Sequence, residues 1–273
     1  MTEKINNRLY LGDCLDILPT FPEECVDLII TSPPYACQRK KTYGGISPDK
    51  YIEWYMSIAS ELQRVLKKDG TFILNIKENV VKGERSTYVL ELILALKKQG
   101  WLWTEEYIWT KKNSVPGFWP NRFRDAWERC LQFNKNKKFN MYQKEVMVPV
   151  SEATKYRMKH LGKNDYIRTS SKTNSGFGRR IANWVGREKC YPTNVLHFST
   201  ESTNRNHSAA FPRKLPEWFI KLFSKEDDVV LDPFVGSGTT CLAAQMLNRK
   251  YIGIEVNKDY YNLAKKNILP CLF

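Results

Sequence analysis

Predicted strands and helices alternate at both ends of the chain, and this alternation restricts the possible folds more than any other feature of the sequence. Apolar runs stopped by Pro, Gly or charged residues indicate buried strands, and apolar residues every three or four positions indicate amphipathic helices. The predicted strands are 26–31, 71–76, 102–109, 128–133, 229–232 and 251–254. The predicted helices are 51–67, 86–98, 215–223, one beginning at Thr239, and 258–268. Such alternation predicts an α/β fold with a mostly parallel sheet covered by helices on both faces.

The alternation stops between residues 134 and 206, where Lys, Arg, Asn, Ser and Thr dominate. Positive charge is concentrated in the same part of the chain: residues 110–190 contain 19 Lys and Arg but six Asp and Glu, whereas all other residues contain 24 and 23. An evenly basic chain would indicate only a solvated surface, but this segregation favours a polyanionic partner, most commonly nucleic acid. We interpret the segment as an inserted recognition region built from long loops.

Composition disfavours several other classes of protein. The longest apolar stretch is too short to cross a membrane, and the first residues lack the apolar core of a secretory signal. The seven cysteines include no Cys-x-x-Cys pair and the chain has three histidines, so a metal site is not expected. We therefore expect a cytoplasmic protein with reduced cysteines and no membrane contact.

A glycine-containing turn follows one of the last predicted strands: Asp232-Pro-Phe-Val-Gly236-Ser-Gly238-Thr239. A strand that passes through glycines into a helix lets the backbone approach a ligand closely. Glu255 ends the next strand, where a carboxylate can bind the hydroxyls of a ribose. The turn lacks the Lys of a phosphate-binding loop, which disfavours a nucleoside triphosphate. The alternative is an ordinary strand–helix turn with a surface Glu.

A second loop, Thr31-Ser32-Pro33-Pro34-Tyr35, follows the first strong strand. In an open α/β sheet, ligands bind at the carboxyl ends of strands. The prolines stiffen this loop and remove two N–H donors, so the Ser hydroxyl and nearby carbonyls remain as acceptors. This combination suits an amino group on a planar ring, with Tyr35 stacking on that ring. The alternative is an ordinary turn with a core tyrosine.

These two motifs, with the segment Asn206-His207-Ser-Ala-Ala-Phe211-Pro212, resemble the beta class of S-adenosylmethionine-dependent DNA amino-methyltransferases. More narrowly, they resemble the cytosine-N4 enzymes of bacterial restriction–modification systems. In that class the catalytic loop precedes the cofactor turn, and here Ser32 precedes Gly236. The resemblance implies a circularly permuted Rossmann-like methyltransferase fold. Its catalytic-loop half would be residues 1–109, its basic target-recognition region 110–206, and its cofactor-binding half 207–273.

The resemblance also implies a role for each matching residue. The catalytic loop would be Ser32, Pro33, Pro34 and Tyr35. S-adenosyl-L-methionine would be held by Asp13 at its adenine, Glu255 at its ribose, Phe211 and Pro212 near its methionine end, and Asp232, Phe234, Gly236, Gly238 and Thr239 in the turn.

The expected substrate is double-stranded DNA, from which one cytosine must flip out before its amine can be reached. Acceptors on the amine N–H bonds would favour a pyramidal nitrogen that attacks the sulfonium methyl in line. The residues expected to contact DNA are Gln38, Arg39, Lys40, Lys41, Arg179 and Arg180. A cognate restriction endonuclease would act on the same site without touching this protein, and the sequence predicts neither the site nor the oligomeric state.

Three alternatives remain open at this point. Adenine-N6 enzymes of the same class more often carry Asp at the position of Ser32, so adenine is the nearest rival substrate. Cytosine-C5 enzymes use a Cys and a Glu-Asn-Val, and this chain has Cys37 and Glu78-Asn79-Val80 at the corresponding strand ends. The third alternative is a nucleic-acid-binding protein without catalytic activity, which the intact motifs disfavour.

Overall fold

A computed structural model of the chain describes residues 7–37, 45–111, 121–167, 185–199 and 211–268. Two compact units can be distinguished. The large unit comprises residues Met1–Tyr142 and Asn194–Phe273, and the small unit comprises Gln143–Thr193.

Twelve strands occur in the described residues, eight of which form one sheet in the large unit. They are β1 (Arg8–Leu11), β2 (Val26–Thr31), β3 (Leu66–Ile76), β4 (Val80–Val81), β5 (Glu84–Arg85), β6 (Leu102–Thr110), β7 (Trp127–Asn134), β8 (Val148–Pro149), β9 (Lys189–Cys190), β10 (Val195–His197), β11 (Val229–Asp232) and β12 (Lys250–Glu255). The order in the large sheet is β1-β12-β11-β2-β3-β7-β6-β10.

Five of the seven pairings in this sheet are parallel, and only β7 pairs antiparallel with its neighbours β3 and β6. The central strands β2 and β11 are almost entirely buried, as expected when helices cover both faces of a parallel sheet. The prediction of an α/β fold with a mostly parallel sheet is therefore confirmed. The two strands that the pattern missed, β1 and β10, have four and three residues, too few to show a periodicity.

The helices of the large unit are α1 (Cys14–Ile17), α2 (Pro48–Val65), α3 (Tyr88–Gln99), α6 (Lys214–Phe223), α7 (Thr239–Met246) and α8 (Lys258–Ile268), and those of the small unit are α4 (Glu152–Lys159) and α5 (Lys163–Ile167). Helix α2 begins with Pro48 in its first turn, where a missing N–H is tolerated, and buries Tyr51, Tyr55 and Ile58 along one face. Helix α3 ends at Gly100, whose φ of 109° closes the helix in the left-handed conformation. None of the described helices is long and apolar enough to cross a membrane.

The small unit contains regular secondary structure, so the prediction that residues 134–206 consist of loops is wrong for its described part. Strands β8 and β9 pair antiparallel, and the Ser151 side chain caps the first turn of α4. Helix α4 buries no side chain, which explains why it showed no apolar periodicity. The small unit is also narrower than the predicted recognition region 110–206, because β7 and β10 belong to the large sheet.

Candidate active site

The two predicted motifs lie side by side because β2 and β11 are adjacent parallel strands that end at the same edge of the sheet. Leu28 pairs with Val230 and Ile29 with Leu231. Just past this register, the Thr31 hydroxyl donates a hydrogen bond of 2.7 Å to the Asp232 carboxylate. This buried hydrogen bond joins two residues that are 201 positions apart in the chain. The loop that begins at Ser32 and the turn that begins after Asp232 leave the sheet from neighbouring positions.

Asp232 is the centre of a buried network of neutral donors. Besides Thr31, its carboxylate accepts hydrogen bonds from the Thr240 hydroxyl at 2.6 Å and from the Phe234 amide at 3.1 Å. Burial raises the pKa of Asp232 from 3.8 to about 6, against the opposing effect of these hydrogen bonds, and the nearby Glu255 adds to the increase. The carboxylate fixes the strand end, the turn and helix α7 relative to one another.

The glycine turn is closed by contacts that require glycine. Gly236 and Gly238 have φ values of 53° and 89°, in the left-handed region. A Cβ at Gly238 would lie 3.1 Å from Ala264 and from Ile268 of α8, so this glycine also permits close packing of that helix. Because Gly238 is the N-cap of α7, the turn presents the positive end of this helix.

Glu255 ends β12 with its carboxylate buried and directed at the turn. Its two oxygens accept hydrogen bonds from the amides of Gly236 and Asn257, both at 2.9 Å. Only 2% of the residue is exposed, so the alternative of an ordinary surface Glu is wrong. The geometry holds the carboxylate beside the backbone of the glycine turn.

Strand β1 brings Asp13 to the same edge. It pairs with β12, and the Gly12 amide donates to the Glu255 carbonyl at 3.0 Å. Asp13 is exposed, and one of its oxygens caps α1 by accepting from the Leu15 amide at 2.9 Å. The segment Gly12-Asp13 therefore continues directly from a strand that lies beside Glu255.

A surface cavity of about 420 Å³ lies next to these residues. Its lining residues are Leu15, Ile46, Lys50, Glu53, Trp54 and Ser57. Leu15 is hydrogen-bonded to Asp13, and the Trp54 ring contacts the Phe234 ring at a centroid distance of 5.8 Å. Trp54 could not be recognised as a site residue from the sequence, because its position in α2 is that of any residue beside the buried face of a helix. Only its contact with Phe234 connects it to the turn.

The loop after β2 carries a hydrogen-bonded network of its own. The Ser32 hydroxyl donates to the Tyr35 hydroxyl at 3.3 Å, and the Tyr35 hydroxyl donates to Glu128 at 2.7 Å. Lys111 forms an ion pair with the other oxygen of Glu128. Burial, together with the nearby Glu128 carboxylate, holds the pKa of Tyr35 well above 10. Tyr35 is therefore a neutral phenol directed inward, and neither its partner Glu128 nor the lysine paired with Glu128 could be identified from the sequence.

The residues that match the C5 motif have hydrogen-bond or ion-pair partners of their own. Glu78 is buried and forms an ion pair of 2.8 Å with Arg129. The Asn79 side-chain amide donates to the Ala36 carbonyl at 3.2 Å, and the Cys37 backbone amide donates to the Ile46 carbonyl at 2.8 Å. The side-chain contacts of Glu78 and Asn79 account for these two residue types without C5 chemistry.

Some of the remaining predicted residues lie in the part of the chain that the structure describes, and others do not. Phe211 is partly buried and Pro212 is buried, and they immediately precede α6, whose Leu215 amide donates to the Pro212 carbonyl at 2.9 Å. Outside the described residues lie Gln38, Arg39, Lys40, Lys41, Arg179, Arg180 and His207. In the small unit, Arg157, Lys159 and Lys163 are exposed.

Comparison with known proteins assigns the family. Residues 26–266 match the DNA methylase family of N6- and N4-methyltransferases. The type II methyltransferase M.PvuII of Proteus hauseri is 33% identical over 93% of this chain and 81% of its own length. M.HinfI of Haemophilus influenzae is 30% identical over 98% of this chain and 70% of its own length. This chain therefore belongs to the N6/N4 DNA methylase family, and DNA is its substrate.

Solved structures agree with this assignment. The PvuII DNA methyltransferase, described as cytosine-N4-specific, superposes with a TM-score of 0.72 at 27% identity and covers 96% of this chain and 86% of its own. The Thermus thermophilus protein TTHA0409, solved in complex with S-adenosyl-L-methionine, superposes with a TM-score of 0.63 at 23% identity over 97% of this chain and 93% of its own. The fold is thus that of the Rossmann-like methyltransferases, and the predicted resemblance is confirmed.

Proposed function

We propose that the protein transfers a methyl group from S-adenosyl-L-methionine to the N4 amine of a cytosine in double-stranded DNA. The observation that carries this proposal is the contact between Thr31 and Asp232 at 2.7 Å. It joins the loop that suits an exocyclic amine to the turn that suits a nucleoside cofactor. One pocket can therefore hold the methyl group and the amine together, which is the main requirement of a direct transfer.

The donor set of the turn fits S-adenosyl-L-methionine. Glu255 supplies a buried carboxylate at the end of a strand, where ribose hydroxyls can donate to it. The cavity lined by Trp54 and Leu15 supplies apolar surface for the adenine, next to the exposed Asp13. Phe211 and Pro212 would lie near the methionine end, and the backbone of Gly236 to Thr239 would approach the cofactor closely. When bound, the cofactor supplies an electrophilic sulfonium methyl.

The loop residues would prepare the amine. The lone pair of a cytosine amine is delocalised into the ring, so the amine is a poor nucleophile. The Ser32 hydroxyl and the Pro33 carbonyl can accept its two N–H bonds and favour a pyramidal nitrogen. Pro33 and Pro34 have no N–H to compete as donors, and both limit the motion of the loop. Alignment and these hydrogen bonds account for the acceleration.

Two observations favour cytosine N4 over adenine N6. The loop begins with Ser32, whereas adenine enzymes of the class more often have Asp there. The PvuII enzyme, 27% identical in the structural comparison, is described as cytosine-N4-specific. Mass spectrometry of nucleosides from DNA treated with the protein separates N4-methylcytosine, N6-methyladenine and 5-methylcytosine. We expect only the first, and N6-methyladenine as the sole product would overturn the assignment.

The partners follow from this chemistry. The target base must leave the duplex, and the ring of Tyr35 would stack on it in the pocket. Phosphate contacts would come from the segment Gln38 to Lys41, from Arg179 and Arg180, and from exposed cations of the small unit. We further propose that the protein works in the bacterial cytoplasm, where its methylation protects host DNA from a cognate restriction endonuclease that it does not contact.

The test of the catalytic loop is Ser32→Ala. We expect turnover to fall by about 10²-fold or more, because an acceptor that acts in the transition state is lost. The affinity for S-adenosyl-L-methionine, measured by calorimetry, should stay within about twofold of wild type because Ser32 is outside the glycine turn. Glu255→Ala serves as the reciprocal control, since it should weaken cofactor binding first. Unchanged turnover in Ser32→Ala would remove Ser32 from the mechanism.

A further inference from the structure

Glu128 is a buried carboxylate that the mechanism above does not use. It lies near the start of β7 with 7% of the residue exposed, and it is 93 residues from Tyr35 along the chain. One of its oxygens accepts from the Tyr35 hydroxyl at 2.7 Å, and the other is paired with Lys111. Burying a carboxylate is costly even when it is paired, so its position behind the catalytic loop calls for a function.

The hydrogen bonds from Ser32 to Glu128 all run in one direction. The Ser32 hydroxyl donates to Tyr35, whose hydroxyl donates to Glu128. The Tyr35 hydroxyl also lies 3.3 Å from the Asn75 side-chain oxygen, but a phenol has one proton. The shorter contact and the negative charge assign that proton to Glu128. The Asn75 amide group donates elsewhere, to the Arg129 carbonyl at 3.1 Å, which keeps its oxygen towards Tyr35.

Methylation of an amine leaves one proton too many on the nitrogen. The new N–C bond forms as the C–S bond breaks, and the neutral product appears only when one N–H proton departs. Neither a serine hydroxyl nor a proline carbonyl can keep that proton at neutral pH. Within the described residues, the chain of hydrogen bonds that starts at Ser32 ends at the carboxylate of Glu128.

We propose that Glu128 is the positioning residue of the catalytic loop and the terminal acceptor of the proton that the substrate amine releases. The amine proton passes to Ser32 while the Ser32 proton passes to Tyr35 and the Tyr35 proton passes to Glu128. Three O–H or N–H bonds break and three O–H bonds form, so Ser32 and Tyr35 regain their neutral state. Glu128 becomes a neutral acid beside a charged Lys111 and later returns the proton to water.

The groups around Glu128 set the conditions for this transfer. Those in hydrogen-bond or electrostatic contact with it are Tyr35, Lys111, Lys77, Tyr88 and Cys130. The two lysines place positive charge beside the carboxylate that would accept the proton. Lys77 is itself shared with Asp125 at 3.2 Å, so its charge is partly balanced before Glu128 is protonated.

The test compares Glu128→Gln and Tyr35→Phe with a matched control, Glu78→Gln. A glutamine at 128 still accepts a hydrogen bond from Tyr35 but cannot take up a proton. Glu78 is a similarly buried carboxylate, 8% exposed, but its ion pair is with Arg129. The inference rests on the proposed function, so wild-type product is first identified by mass spectrometry. Single-turnover methylation of unmethylated bacterial DNA is then measured with saturating cofactor.

We expect Glu128→Gln and Tyr35→Phe each to lower the single-turnover rate by about 10²-fold, the usual range for loss of an acid–base group. The double variant should be no slower than either single variant, because both act on one pathway. The single-turnover rate of Glu78→Gln should stay close to that of wild type, and the cofactor and DNA affinities of all variants should stay within about threefold. If Glu128→Gln does not fold, Tyr35→Phe decides the question alone.

Rates within about threefold of wild type in Glu128→Gln and Tyr35→Phe would overturn the inference, while N4-methylcytosine in the wild-type product would leave the proposed function standing. Absence of N4-methylcytosine from the wild-type product would instead overturn the proposed function. Equal losses in Glu128→Gln and Glu78→Gln would show that burial of charge, and not proton transfer, explains the effect, and would overturn the inference as well.

Discussion

The glycine turn and the catalytic loop leave the sheet from adjacent strands, yet they are fixed in opposite ways. The turn is held by backbone amides and neutral hydroxyls that donate to Asp232 and Glu255. The loop is held by side chains, with Tyr35 bound to a carboxylate that is paired with Lys111. The pKa of Asp232 is raised to about 6, as expected for a buried carboxylate whose hydrogen-bond donors are neutral. The conformation of the turn is thus fixed by neutral hydrogen-bond donors, and that of the loop by a carboxylate paired with a lysine.

The largest expected effect tests whether neutral donors fix the turn. Asp232→Ala removes the acceptor of the Thr31 and Thr240 hydroxyls and the Phe234 amide. Leaving these donors without an acceptor should lower the free energy of unfolding by roughly 3–6 kcal/mol in total. Asp232→Asn is the matched control because its amide oxygen can still accept from Thr31 and Phe234, while its NH2 group can donate to the Thr240 hydroxyl oxygen. Urea denaturation should therefore give Asp232→Ala a much lower free energy of unfolding than Asp232→Asn, and equal values would contradict the account.

The second prediction concerns pH. The folded-state pKa of Asp232, about 6, lies above its ordinary value of 3.8, so the folded protein binds this proton more tightly than the unfolded chain. The stabilising contribution is complete below about pH 4 and is lost as the pH rises through about 6. A difference of about two pKa units corresponds to roughly 3 kcal/mol. Urea denaturation from about pH 4.5 to 7.5 should show this loss in wild type relative to Asp232→Asn; parallel curves would refute it.

The smallest effect separates backbone conformation from packing. Gly238→Ala places a Cβ at a φ of 89° and 3.1 Å from Ala264 and Ile268. Gly186 has a similar φ of 79° with no atom within 4 Å of the added Cβ, so Gly186→Ala measures the conformational cost alone, about 1 kcal/mol. We expect Gly238→Ala to cost roughly twice as much and to weaken cofactor binding. Urea denaturation of both variants gives the comparison, and a cost equal to that of Gly186→Ala would mean that α8 shifts freely.

The sequence is sufficient to predict those strands, helices and turns whose conformation depends on the residue types within them. Strand β11 and helix α8 match their predicted limits, and the glycines and Asp232 mark the turn because backbone conformation and residue type are directly linked there. The proximity of Glu128 to Tyr35 could not be predicted, since Glu128 lies in β7 and its ion-pair partner Lys111 directly follows β6. Charged residues in strands give no signal of what they face. The inserted region was predicted, but its helix α4 was missed because it buries no side chain.

The sheet order has a consequence for how the protein is made. Strand β1, at the beginning of the chain, pairs with β12, and β11 inserts between β12 and β2. During translation, β1 and β2 emerge from the ribosome long before the strands that join them exist. Contacts between such distant parts of a chain form slowly. The nascent polypeptide must therefore keep the edge of β2 unpaired until β11 and β12 are synthesised, and the glycine turn reaches its place beside the loop only then.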